Sequence, residues 1–365
     1  MSKTLAEELS EGKDWNDVNT VQGLLNRATE IVANTTTIGE RNSFYPIKDP
    51  ESYKFFKILA SSHWDSTEMD FSKDKKDYEA LSPPLKHMID MINCFFSASD
   101  GLVINNLDYF LIEADSLESK AFFIIQQQNE MHHSESYSLI INTLVTDENE
   151  RNKLFFAANH LPCVRNKSLW AETYMKAPID IQYRRVAFAC LEGIQFISSF
   201  LGIFYFRSKG LLQNIIFAND LISKDEGVHR DNLVMLYRRG KKMSDENVKK
   251  IVTEAVELEL QFIDVILPNA VEDLTPESFK NYVRYLGDHL LISLGHTSIW
   301  NIKADTLPKW MGEISNSQKG NFYETRNSNY LVNNLSKSLD WQGRISGKYA
   351  ADNERAYADP SSVNF

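Results

Sequence analysis

Cysteine, proline and glycine are all scarce in this 365-residue chain, and no stretch alternates apolar and polar residues in the manner of a half-buried strand. The three cysteines, Cys94, Cys163 and Cys190, form no CxxC pair. That excludes a disulfide framework and a zinc–thiolate site, and makes a reducing cytoplasm the expected compartment. With only 10 prolines and 15 glycines, long segments run without a turn signal, which excludes a fold made of many short strands. Basic residues are outnumbered 39 to 50, a net charge of −11. A nucleic-acid backbone or an anionic membrane is therefore not the expected partner. The opening "MSKTLAEELSEGKDW" has no apolar core, so no signal or transit peptide is expected there.

One segment, 186–206 ("VAFACLEGIQFISSFLGIFYF"), is nearly long enough to span a bilayer. Glu192 and Gln195 near its middle, with Arg184, Arg185 and Arg207 at its ends, fit a buried soluble helix better. What the chain does contain is helical periodicity. Apolar residues recur three and four apart over 84–114, 119–145, 181–208, 210–238, 244–265 and 275–298. Ser-Pro-Pro at 82–84 and Thr-Pro-Glu-Ser at 275–278 read as helix starts. The fold class is all-α, a bundle of eight or more helices, several longer than twenty residues. Residues 1–40 form an N-terminal arm, partly ordered; 41–330 form the helical domain; 331–365, rich in Ser, Asn, Asp and Ala, form a flexible tail.

Of eight histidines, only His133 and His229 have a glutamate three positions earlier, Glu130 and Glu226. On a helix that spacing puts both side chains on one face, about one turn apart, where carboxylate and imidazole can reach one metal ion. Glu192 lies in the most apolar helix and Asp100 closes the apolar run "MINCFFSASD". A buried carboxylate needs a cation or a proton. One carboxylate from each of two helices and Glu-x-x-His from each of two others is the ligand pattern of ferritin-like dimetal proteins. Here the order is Asp100, Glu130 with His133, Glu192, then Glu226 with His229, a set of oxygen and imidazole donors that suits two Fe or Mn ions. Ordinary roles compete at each position. Asp100 could cap a helix break at Gly101, Glu192 could pair with Arg184 or Arg185, and the histidines could be hydrogen-bonded core residues.

Tyr137 follows His133 by four and Glu130 by seven, so it continues the same face, whereas His132 and Glu135 point elsewhere. It is either a core tyrosine with a hydrogen bond or a redox tyrosine oxidised by the metal pair. Phe196 and Phe200, at helical spacing after Glu192, would supply the dry pocket that a radical needs.

The segments "SASDGLVINNL", "EMHHSESYSLII", "VAFACLEGIQFISSF", "ISKDEGVH" and "GNFYETR" resemble, in order, those of the class I ribonucleotide reductase small subunit of the eukaryotic and viral type. The likeness runs from about Phe44 to Tyr330. It implies a homodimeric ferritin-like protein whose two metal ions, Fe–Fe in the first instance with Mn or Mn/Fe as alternatives, use O2 to form a tyrosyl radical. That oxidising equivalent passes to a large catalytic subunit, docked through the C-terminal tail, for reduction of ribonucleotides to deoxyribonucleotides. Carried onto this sequence, the metal ligands are Asp100, Glu130, His133, Glu192, Glu226 and His229, and the radical site is Tyr137. Trp64 in "HWDSTEMD" matches the radical-transfer tryptophan and Asp225 the acid linking it to His133. Tyr330 in "ETRNSNY" matches the tail tyrosine that relays the radical, with Tyr349 and Tyr357 as rivals because this tail is longer and ends "SSVNF". Two further readings use the same ligands: another ferritin-like dimetal oxidase or hydroxylase, and an iron-storage or purely structural bundle.

Overall fold

The computed structural model describes residues 3–12 and 43–311, save the side chains of Asp100, Leu102, Ala158 and Asn159. Most of the expected arm, the whole 331–365 tail and all three tail tyrosines, Tyr330, Tyr349 and Tyr357, lie outside the described residues. Among the described residues there are twelve α-helices and no β-strand. In chain order they are α1 (Leu5–Leu9), α2 (Pro50–Ala60), α3 (Lys75–Ala80), α4 (Pro83–Glu113), α5 (Leu117–Leu144), α6 (Glu148–His160), α7 (Pro162–Lys176), α8 (Ile181–Gly193), α9 (Ile197–Lys209), α10 (Gln213–Arg239), α11 (Asp245–Ile266) and α12 (Pro276–Ser293).

The start signals work as their chemistry requires. Pro83 and Pro84 occupy the first turn of α4, where no N–H partner is needed. Thr275 Oγ1 accepts from the Ser278 N–H at 3.1 Å ahead of α12, and Ser116 Oγ from Ser119 at 3.0 Å ahead of α5. α4, 31 residues long, packs along α5 across the short 114–116 turn, and α8 packs along α10. These two pairs carry every expected metal-ligand position, on helices α4, α5, α8 and α10.

Three expectations need correction. The 181–208 run is not one helix: it divides at 194–196, directly after Glu192 and Gly193. α4 continues through Asp100 and Gly101 without a break, so there is no break for Asp100 to cap. The last long run stops at Ser293, and Gly295, with φ +85°, makes the turn that ends it. The apolar stretch Ile181–Lys209 is long enough to cross a bilayer, but its most apolar window is wholly buried among neighbouring helices. From the arm, α1 packs on α7 and α11, with Leu5 and Ala6 buried and the Leu5 N–H donating to Glu254 at 2.9 Å.

α10 begins unusually. Leu212 ahead of it has a positive φ of 53° and lends no side-chain cap. The cap comes instead from a distant residue, Asp74, whose carboxylate accepts from the backbone N–H of Asn214 at 3.2 Å and of Ile215 at 2.7 Å. A buried anion over unsatisfied amides and the positive end of the helix dipole fixes where α10 starts. We expect Asp74→Ala to destabilise the protein by about 1–2 kcal/mol, read as a lower urea midpoint with an unchanged slope. A midpoint equal to that of the parent chain would show that the cap contributes nothing.

Candidate metal centre

α5 delivers Gln126, Glu130, His133 and Tyr137 on one buried face, because their separations of four, three and four follow the helical repeat. α10 delivers Asn219, Asp225, Glu226 and His229, all buried. α8 delivers Glu192 at its last turn. A Cβ on the next residue, Gly193, would lie 2.6 Å from Arg230 Cδ, so its bare Cα is what lets the Arg230 stem of α10 lie across the end of α8.

The structure brings Glu130, Glu192, Glu226 and His229 together, with one ligand atom of each within 4.8 Å of every other. His133 joins them: its Nδ1 is 2.9 Å from Glu226 Oε1 and 3.4 Å from Glu130 Oε2. His229 Nδ1 lies 3.0 Å from Glu226 Oε2 and 3.1 Å from Glu130 Oε1. Arg184, one of the alternative partners for Glu192, is engaged by Glu113 through a buried two-pronged pair. Asp100 sits on α4 as expected, but its side chain lies outside the described residues.

Four atoms test whether this set fits a metal. Both carboxylate oxygens of Glu130, Nδ1 of His133 and Nε2 of His229 are buried without an aligned hydrogen bond. Buried polar atoms are almost always paired, and leaving one bare costs about 1–3 kcal/mol. Clustered carboxylate oxygens and imidazole nitrogens that crowd together without aligned hydrogen bonds are the donor chemistry that divalent cations satisfy.

The surrounding groups have defined partners. Trp64 donates its indole N–H to Asp225 Oδ2 at 2.8 Å, and the same oxygen is 3.4 Å from His133 Nε2. The Trp64 ring stacks on His133 at 5.8 Å and 15°. Tyr137 donates its hydroxyl to Asn219 Oδ1 at 2.7 Å, and the Asn219 amide N–H donates to the Ile215 carbonyl at 2.8 Å. Phe96 lies flat on the Tyr137 ring, 4.3 Å away at 10°, and Phe196 and Phe200 pack on Phe96 at 5.6 and 5.1 Å. His132 turns away toward His63, its ring 5.5 Å distant, and Glu135 is exposed and takes the Ser66 hydroxyl. Sequence reasoning assigned no role to Asn219, to Phe96 or to Gln126, whose amide donates to Glu192 at 2.8 Å. Spacing held a signal for two of them, since Gln126 precedes Glu130 by four and Asn219 precedes Glu226 by seven.

Helical pairs carrying a buried glutamate–histidine cluster of this composition define a ferritin-like dimetal-carboxylate protein. The family described as "Ribonucleotide reductase, small chain" matches residues 41–308. The chain is 37% identical over 306 residues to the ribonucleoside-diphosphate reductase small chain of Nicotiana tabacum, covering 83% of this chain and 92% of that one. It is 38% identical over 289 residues to the small chain of Variola virus, covering 78% and 90%. The ribonucleotide reductase Rnr4 homodimer of Saccharomyces cerevisiae shares the fold with a TM-score of 0.69 at 24% identity, covering 84% of this chain and 100% of that one. The chain belongs to the ribonucleotide reductase small chain family. It is the small subunit of an oxidoreductase that makes DNA precursors, which selects the first of the three readings of the ligand pattern.

The acids of the cluster bias both imidazoles toward their protonated forms. Burial pulls the His229 imidazole down, but Glu130 and Glu226 outweigh it and its pKa is pushed up to about 9. Burial likewise opposes charge on His133, and Asp225, Glu130 and Glu226 together hold it well above the usual histidine range. Burial would raise Glu226, yet His229 and His133 hold it below the ordinary carboxylate range. A raised histidine stabilises the fold fully below its unfolded value of about 6.5 and loses that contribution as pH climbs through the folded value. Metal binding has the opposite sign, because the imidazoles must first lose their protons. From about pH 6.5 to about 9 the melting temperature of the metal-free protein is expected to fall while Mn(II) affinity rises. Parallel trends in calorimetry and titration would refute the linkage.

Proposed function

We propose that this small subunit generates the radical its enzyme uses, and that it does so at Tyr137 with two metal ions held by Asp100, Glu130, His133, Glu192, Glu226 and His229. The observation that carries the reading is the buried Glu130–His133–Glu226–His229 group, in which carboxylate oxygens and imidazole nitrogens crowd within 2.9–3.4 Å of one another and four donor atoms make no aligned hydrogen bond. Iron in both positions is the proposed native pair; manganese or a mixed pair would use the same donors. Two metal ions held by these residues would, with O2, supply an oxidising equivalent, and Tyr137 would give up the electron together with its hydroxyl proton.

The chain's own residues prepare that tyrosine. Asn219 fixes the direction of its hydroxyl, and Phe96, Phe196 and Phe200 form an aromatic shell that keeps water from the ring. The continuous Trp64–Asp225–His133 contact supports a route for electron and proton between the cluster and the Trp64 side of α5. Its continuation through Tyr330, or through Tyr349 or Tyr357, and docking of the tail on the large subunit belong to this proposal. A homodimer is the proposed assembly, as in the yeast relative. Ile124 and Met131, 51% and 59% exposed and two turns apart on α5, supply an apolar face for it. The three buried free thiols favour a reducing cytoplasm.

Three outcomes are expected. Fe(II) loading followed by O2 gives a tyrosyl signal in electron paramagnetic resonance that disappears in Tyr137→Phe with metal content retained; a persisting signal would displace Tyr137. Trp64→Phe keeps that signal in the isolated subunit but lowers nucleotide reduction with the large subunit at least 100-fold, and near-normal turnover would remove Trp64 from the route. Met131→Glu shifts the sedimentation profile from dimer to monomer, whereas an unchanged dimer would place the interface elsewhere.

A further inference from the structure

The division between α8 and α9 falls within four residues of Glu192 and carries Phe196 at its far end. Ile194 and Gln195 both send their N–H to the Cys190 carbonyl, at 2.9 and 3.1 Å, so the turn just past Glu192 is widened by one residue into a π-type turn. In an uninterrupted helix the Ser198 N–H would bond the Ile194 carbonyl; here Ile197 takes that carbonyl at 3.1 Å. The backbone groups displaced by the break are met by two side chains from other helices. Lys167 of α7 donates from Nζ to the Gln195 carbonyl at 2.7 Å. Glu259 of α11 accepts the Ser198 N–H on Oε1 at 2.8 Å. Lys167 and Glu259 are ion-paired with each other through the other carboxylate oxygen, Oε2, and both are buried.

The pair reaches toward the radical pocket as well. Lys167 Nζ lies over the rings of Phe95 and Phe262, 4.0 and 4.1 Å from their centroids. Phe95 packs on Phe196 at 5.9 Å and on Phe96 at 5.5 Å, and Phe96 covers Tyr137. A buried ion pair is a poor source of net stability, and apolar replacement of such a pair is often neutral. Its retention here calls for another role. Each charged end ties down one side of the break, the ammonium at Gln195 and the carboxylate at Ser198, and between these ties sits Phe196.

We propose that Lys167 and Glu259 are positioning residues: a buried clamp that fixes the 194–198 break and thereby sets where Glu192 and Phe196 stand against the metal site and the Tyr137 pocket. The inference rests on the metal reading for its effect on Glu192. The clamp itself rests on the hydrogen bonds alone.

Two variants separate anchoring from stability. Lys167→Met/Glu259→Leu removes both anchors together with both charges, so no charge is left buried without its partner; the chain keeps its fold, and baring the Gln195 carbonyl and the Ser198 N–H lowers its melting temperature moderately. Glu259→Gln keeps both anchors. A glutamine oxygen still accepts from Ser198, and Lys167, whose pKa burial already lowers, still donates to Gln195 as a neutral amine. That variant is expected to be the less stable of the two. Hydrogen exchange is measured by mass spectrometry over 190–200 in the full-length metal-free chain, and Mn(II) binding by titration calorimetry. The apolar pair is expected to exchange at least tenfold faster in that segment alone and to bind Mn(II) about tenfold more weakly. Glu259→Gln should stay within twofold of the parent chain in both. Exchange and Mn(II) binding that follow melting temperature across the two variants would overturn the clamp. So would parental behaviour of the apolar pair. If one variant does not fold, the other decides by the same two readouts. If the parent chain binds no Mn(II), the metal reading fails, and exchange over 190–200 still decides the clamp.

Discussion

Burying several carboxylates in a helical core is the constraint from which the rest of this structure follows. An ionised carboxylate moved out of water without a partner is strongly unfavourable. Glu130, Glu192 and Glu226 are nonetheless each less than 5% exposed, inside the chain's main apolar core. Such a cluster is tolerable only if positive charge lies among the acids, as imidazolium protons in the metal-free protein or as cations in the loaded one. The surrounding helices must then be long, continuous and closely packed, so that the charges meet each other and not water. That is why the acids and histidines proposed as ligands fall on α4, α5, α8 and α10, and why residues 186–206 are so apolar.

The same constraint explains the polar residues just outside the cluster. A carboxylate held on one side must still satisfy its remaining lone pairs, and an imidazole must be held in one orientation. Gln126 meets Glu192, and Asp225 meets the outer nitrogen of His133. Asp225 is then shared with Trp64, so the group that orients a histidine also joins the cluster to an indole toward the other side of α5. Function and satisfaction of buried polar atoms are here one requirement.

Much of this was legible in the sequence because helical periodicity encodes which residues share a face. The all-α class, the Pro-led starts of α4 and α12, the common face of Glu130, His133 and Tyr137, and the outward turn of His132 all follow from the 3.6-residue repeat. What periodicity cannot express is contact between helices. Asn219 as the partner of Tyr137 and Phe96 as its stacking ring come from other helices, and no spacing on α5 points to either. The break at 194–196 was hidden for a related reason. An apolar run looks the same whether it is one helix or two, and the groups that stabilise this break, Lys167 and Glu259, lie 28 and 61 residues away from their backbone partners.

The partners across α5 and α10 also fix a register. Going down α5 from Tyr137 to His133 to Glu130, the residues met on α10 rise from Asn219 to Glu226 to His229. The two helices therefore run antiparallel with Tyr137, His133 and Glu130 each opposite a chosen polar group. A shift of one residue along either helix rotates its side chains by about 100° and would break all three pairings at once. The Asp74 cap sets where α10 begins and Ser116 sets where α5 begins, so both ends of this register are held by side chains outside the site. The electrostatics of the cluster thus depend on two helix caps that never touch it, because a rigid helix transmits the position of its first turn to the charged side chains several turns on.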